Sequence, residues 1–132
     1  MLLEGKVAIV TGASRGIGKA IAQQFIAQGA AVAFTYRSSA EAAEALEKEL
    51  TANGGTAKGF QSDAASMTDA ERLVQEVVDT LGTVDIVINN AGITDDTLLM
   101  LMTEEQWDRV ISVNLKSCFN LTKAVLRTML KA

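Results

Sequence analysis

The chain has 132 residues, 48% hydrophobic and 21% charged, enough for one packed core and too short for two domains. A net charge of −4 excludes the basic footprint of a general nucleic-acid binder, no apolar run is long enough to span a membrane, and Glu4 and Lys6 precede any stretch resembling a secretory leader. With no histidine, His-based triads and His-ligated metal sites are excluded and no metal site is expected, while the single cysteine, Cys118, excludes an internal disulfide and fits a reducing, cytoplasmic setting.

Strand-like and helix-like segments alternate along the chain. Lys6–Val10 is a short apolar run expected as a buried strand, followed by a glycine-rich turn and a helix over Gly18–Gln28 that Gly29 closes. Ala31–Tyr36 is the second strand. Ser38 followed by Glu41 has the pattern of a capping box, opening a helix with a stripe of Ala42, Leu46 and Leu50 that ends at Asn53-Gly54-Gly55. Thr56–Gln61 is a more polar strand, expected nearer an edge. Thr68 with Glu71 repeats the capping pattern, and Leu73, Val74, Val77, Val78 and Leu81 form the next stripe, closed by Gly82. Val84–Asn89 is the last apolar strand. Thr103 with Gln106 opens a long final helix carrying Trp107, Val110, Ile111 and Leu115 and running on to Met129. Strict alternation of strand and helix implies right-handed crossovers and a parallel sheet, so the expected class is doubly wound α/β.

The stretch "TGASRGIGKA", Thr11 to Ala20, carries the first chemistry. In an open α/β sheet, ligands sit beyond the carboxyl ends of the strands, and this turn leaves the first of them. Gly12, Gly16 and Gly18 allow tight turning and close backbone approach, Ser14 adds a hydroxyl, and the next helix presents unpaired N–H groups to an anion. A plain glycine turn would account for the glycines alone. The strand before and the helix after favour a pyrophosphate cradle, although the spacing G-x-x-x-G-x-G is neither the commoner dinucleotide fingerprint nor a P-loop. An adenosine ribose with a free 2′-hydroxyl calls for an acidic residue about 20 positions further on. Here the second strand ends Tyr36-Arg37-Ser38, with no carboxylate. Arg15 and Arg37 are placed to meet a 2′-phosphate, so NADP(H) is expected over NAD(H).

"TGASRGIG", "INNAGIT" and "VNLKS", in this order and at this spacing, resemble the short-chain dehydrogenase/reductases over essentially the whole chain. The stretch from Ile93 to Leu130 is similar to the 3-oxoacyl-[acyl-carrier-protein] reductase branch. The resemblance implies a Rossmann domain with strand order 3-2-1-4 and four helices. Gly12, Ser14, Arg15, Gly16, Ile17 and Gly18 would surround the cofactor phosphates, with Arg15, Arg37 and Ser38 at the adenosine phosphate. Asp63 would contact adenine, followed by Ala64, and Asn90, Ala91 and Gly92 would flank the adenosine side. Read alone, Asn89-Asn90-Ala91-Gly92 is a strand-terminating turn. Asn114, unfavourable inside a helix, would be the member of the family's catalytic tetrad that holds a water in a proton relay, at a bend of the last helix.

The same resemblance requires a Ser and a Tyr-x-x-x-Lys pair, whose tyrosine protonates the carbonyl oxygen as hydride arrives. The only tyrosine is Tyr36, and no Tyr-x-x-x-Lys occurs in the sequence. Residues 1–132 are therefore expected to be a single incomplete NADP-binding domain, without C-terminal strands or substrate lid, and inactive by themselves. The implied function is NADPH-dependent reduction of 3-oxoacyl thioesters in fatty acid biosynthesis. The alternative is a non-catalytic nucleotide-binding or folding and assembly fragment. Asp95 and Leu101 stand where many reductases of this branch have arginines, so substrates are expected to be acyl carrier protein-linked or other small carbonyl compounds. An exposed fourth strand and apolar surface on the last helix lead to an expected homo-oligomer, swapped or edge-to-edge.

Overall fold

A computed structural model describes residues 2–13, 16–63, 66–90 and 103–131. Strand and helix alternate as β1 (Val7–Val10), α1 (Gly16–Ala27), β2 (Ala31–Tyr36), α2 (Ala40–Thr51), β3 (Ala57–Gln61), α3 (Met67–Leu81), β4 (Ile86–Ile88) and α4 (Glu104–Lys131). The sheet runs β3-β2-β1-β4 with every pair parallel, the expected order, and the more polar β3 lies at one edge.

β1 lies between two partners and is buried along its whole length. Val7 to Val10 face Ala31 to Phe34 of β2, and Ala8 to Val10 face Ile86 to Ile88 of β4. Period-two alternation divides the side chains between two layers. Val7, Ile9 and Ala33 pack with Leu73, Val74 and Val77 of α3 and Leu121 and Val125 of α4. Val10, Val32 and Phe34 pack with Ala22 of α1 and Ala43, Leu46 and Leu50 of α2. β4 is shorter than the apolar run Val84–Asn89 and only half-buried, with one strand neighbour among the described residues. Asp85 instead ties the strand starts together: its Oδ2 accepts the Val7 N–H at 2.9 Å, and its own N–H donates to Val7 O at 2.8 Å.

Two helix starts differ from the sequence reading. α2 is capped by Ser39, whose Oγ accepts the Ala42 N–H, and α3 by Ser66, whose Oγ accepts the Asp69 N–H. Neighbouring hydroxyl residues compete for each cap; at α3, Asp69 also takes the Asp63 N–H, and the cap lies two residues earlier than Thr68. On α2, Ala43 is buried in place of Ala42, which is exposed. Thr103 and Gln106 do form the reciprocal box, with Gln106 N–H donating to Thr103 Oγ1 at 3.1 Å and Thr103 N–H to Gln106 Oε1 at 2.8 Å.

α4 has 28 residues and is continuous helix through Asn114, about 42 Å long. Its inward face is Ser117, Asn120, Leu121 and Val125, all buried. Ile111 and Leu115 point outward instead of into the core, joining Phe119, Leu126 and Leu130 in a stripe of exposed apolar side chains.

The sheet edges differ. Outside β3, the Gly59 N–H donates to Glu47 Oε2 at 3.2 Å, and Arg72 Nη2 donates to Gln61 O at 2.9 Å. Among the described residues, β4 pairs with β1 alone.

Phe34 is 1% exposed at the centre of the α1/α2 layer. Phe34→Ala is expected to cost about 3–5 kcal/mol, read as a lower urea midpoint at unchanged slope.

Candidate dinucleotide-binding site

The carboxyl ends of four parallel strands converge on one rim of the sheet, and backbone hydrogen bonds fix where each loop leaves it. Thr11 ends β1. Its Oγ1 donates to Ile88 O at 3.3 Å and accepts the Asn90 N–H at 2.9 Å, so one hydroxyl binds the end of β4 on both sides. The Gly12 N–H donates to Thr35 Oγ1 of β2 at 3.3 Å, and Asn90 Nδ2 donates to Gly12 O at 3.0 Å. The turn after β1 is thus held from both neighbouring strands. Gly12 takes φ +66°, which L side chains rarely adopt. Gly18, in the first turn of α1, lies so close that a Cβ there would overlap Gly12 O and the Asn90 amide nitrogen.

The start of α1 is chemically distinct. α2, α3 and α4 carry acidic residues in their first turns (Glu41, Asp69, and Glu104 with Glu105), whereas α1 carries none. A carboxylate there would complement the helix dipole but repel a bound anion. Ile17 is 74% exposed at this end.

At the end of β2, Arg37 and Ser38 are exposed, and the Arg37 carbonyl accepts from Gln61 Nε2 at 3.2 Å. At the end of β3, Asp63 is half-buried; its N–H donates to Asp69 Oδ2 at 2.8 Å and its carbonyl accepts the Ser66 N–H at 3.0 Å. Asn89 Nδ2 reaches Thr122 Oγ1 of α4 at 3.4 Å. The strand ends therefore bring Gly12, Gly16, Ile17, Gly18, Arg37, Ser38, Asp63 and Asn90 to one rim. Ser14, Arg15, Ala64, Ala91 and Gly92 lie outside the described residues, as does the side chain of Asn114. A cavity of about 20 Å³ beneath the rim, lined by Thr11, Thr35, Ser62, Asn89 and Ser117 among others, is far too small for a nucleotide. Any such ligand must lie across the open rim. Among the described residues no group of acidic or cysteine side chains could hold a metal, and no buried side-chain polar atom lacks a partner.

Sequence reading missed Thr11 and Thr35 as supports of the turn and Gln61, Asp69 and Arg72 as supports of the loops beside it. The available signal was Thr11 and Thr35 at the ends of otherwise apolar runs. The other three act through tertiary contacts and leave no local pattern.

A parallel 3-2-1-4 sheet with a glycine turn leaving its central strand at the rim defines a doubly wound α/β protein built like those that hold dinucleotides. The short chain dehydrogenase family model matches residues 6–132, and the chain belongs to that family. It is 46% identical over 129 residues to the 3-oxoacyl-[acyl-carrier-protein] reductase of Synechocystis, covering 98% of this chain and 52% of that protein. It is 47% identical over 131 residues to the corresponding Escherichia coli reductase, covering 99% and 52%. The chain spans about half the length of the relatives it matches. Among solved structures, a short chain dehydrogenase from Burkholderia cenocepacia in complex with NADP superposes with a TM-score of 0.88 at 39% identity, covering 98% of this chain and 53% of that one. A dehydrogenase/reductase from Sinorhizobium meliloti gives 0.89 at 39% identity, covering 96% and 50%.

Gly18→Ala is expected to force Gly12 and Asn90 apart, lowering stability by about 1–3 kcal/mol. A thermal melt checks it.

Proposed function

We propose that residues 1–132 form a single, incomplete NADP(H)-binding domain of an NADPH-dependent reductase that converts 3-oxoacyl thioesters to 3-hydroxyacyl thioesters. The observation that carries this reading is identity of 46–47% to 3-oxoacyl-[acyl-carrier-protein] reductases across nearly the whole chain. The rim fits the cofactor on its own evidence. The acid-free start of α1 and the space left by the absent Cβ of Gly18 suit a pyrophosphate, and Arg37 stands at the end of β2 with no carboxylate beside it. The Burkholderia relative was solved with NADP.

In this reading Gly12, Ser14, Gly16, Ile17 and Gly18 hold the pyrophosphate through backbone N–H groups and the serine hydroxyl. Arg15, Arg37 and Ser38 hold the 2′-phosphate. Asp63 and Ala64 meet adenine, and Asn90, Ala91 and Gly92 flank the adenosine. Asn114 orients a water in the path that returns a proton to the active site. NADPH supplies the hydride when bound. The proton for the substrate oxygen needs a Tyr-x-x-x-Lys acid, absent from these 132 residues, so they bind cofactor without turning it over. The domain works in the cytoplasm; no helix among the described residues is long and apolar enough to cross a membrane. Asp95 and Leu101 favour a second reading for the substrate alone, another small carbonyl compound not carried by an acidic protein. The outer face of α4, where Leu115 is 68%, Phe119 59% and Leu130 77% exposed, is covered by a second copy of the chain.

Titration should show NADPH binding more tightly than NADH, and Arg37→Ala should remove about 10- to 100-fold of NADPH affinity, the range of a charge-assisted contact, while leaving NADH unchanged. Equal affinities would sink the NADP(H) assignment. Oxidation of NADPH dependent on a 3-oxoacyl thioester, by a chain of verified length, would overturn the claim of inactivity.

Size-exclusion chromatography with light scattering should show a dimer or larger species, shifted towards monomer by Leu115→Ser with Phe119→Ser. A clean monomer of the unsubstituted chain counts against self-association.

A further inference from the structure

Three side chains outside the proposed binding surface join the two loops assigned to its adenosine end. Gln61, the last residue of β3, donates from Nε2 to the Arg37 carbonyl at 3.2 Å. Its own carbonyl accepts from Arg72 Nη2 of α3 at 2.9 Å. The same guanidinium nitrogen lies 3.5 Å from Asp69 Oδ2, and Nη1 lies 3.9 Å from Glu76. Asp69 Oδ2 in turn accepts the Asp63 N–H at 2.8 Å. A continuous path of polar contacts therefore runs from the backbone of Arg37 to the backbone of Asp63.

We propose that Gln61, Arg72 and Asp69 form a positioning brace that sets Arg37 against Asp63, and so sets the preference for an adenosine carrying a 2′-phosphate. The inference rests on the assignment of Arg37 and Asp63 given above. Arg37 is exposed on a loop, where a long side chain explores many rotamers. Anchoring its carbonyl to β3 fixes the origin from which the guanidinium reaches. Arg72 suits the middle of the brace because its planar fork can serve a carbonyl and a carboxylate together, which a lysine ammonium does less well. Exposed ion pairs of this kind add little to folding, and Arg72 and Asp69 are 46% and 31% exposed in their side chains. Substituting the brace therefore separates positioning from stability.

The test titrates the intact chain with 2′,5′-ADP and with 5′-AMP, alongside Gln61→Ala, Arg72→Met and Arg37→Ala, with a melting curve for each. The unsubstituted chain should prefer 2′,5′-ADP, and Arg37→Ala should abolish the preference. Gln61→Ala should reduce the ratio of the two affinities by about three- to tenfold, the scale of one hydrogen bond, at unchanged melting temperature. Arg72→Met, which removes the middle of the brace between Gln61 and Asp69, should reduce the ratio and also weaken 5′-AMP. If Arg37→Ala abolishes the preference while Gln61→Ala and Arg72→Met leave the ratio within about twofold, the brace is overturned and the Arg37 assignment stands. If the unsubstituted chain shows no preference, or Arg37→Ala does not change it, the assignment fails and the brace with it.

Discussion

The Thr11 hydroxyl sits between two strands and both donates to and accepts from one of them, donating to Ile88 O and accepting the Asn90 N–H. The geometry of the rim follows from that contact. Parallel strands end on the same side of a sheet, but the pairing leaves the chain free once each strand stops. Thr11 extends the β1–β4 attachment past the last paired residues, Val10 and Ile88, and Thr35 attaches Gly12 to β2 in the same way. With both sides held, the chain must turn at Gly12, and the approach of α1 leaves no room for a side chain at Gly18. A glycine turn alone is permissive. Glycines clamped by hydroxyls and an amide from neighbouring strands make a preorganised surface.

The same logic explains what was legible beforehand. The order of elements and the parallel sheet follow from short β-branched runs alternating with helical stripes, signals strong enough to be read locally. The edge position of β3 was visible in its polarity. Gly12, Gly16 and Gly18 were legible because few residue types tolerate such a turn. The starts of α2 and α3 were not, because Ser38 and Ser39, or Ser66 and Thr68, offer equivalent caps to a local pattern. The orientation of α4 was hidden for a different reason. That helix has two faces with apolar residues, and periodicity cannot say which meets the sheet. The face chosen carries buried Ser117 and Asn120, and the stripe through Leu115 and Phe119 is left outside.

The two edges of the sheet extend this contrast between satisfied and available groups. Strand addition needs free N–H and C=O groups along an edge. On β3 the Gly59 N–H and the Gln61 carbonyl already have side-chain partners in Glu47 and Arg72. A further strand pairing along its whole length would have to displace a carboxylate and a guanidinium. Among the described residues β4 is half-buried and pairs only with β1, and the apolar outer stripe belongs to the helix that follows it in the chain. Strand addition is therefore opposed at the β3 edge, beside the β2 and β3 loops. Arg72 links the two problems, since the contact that closes the β3 edge also begins the path to Asp63. One side chain thus shares in covering that edge and in the proposed brace between the loops above it.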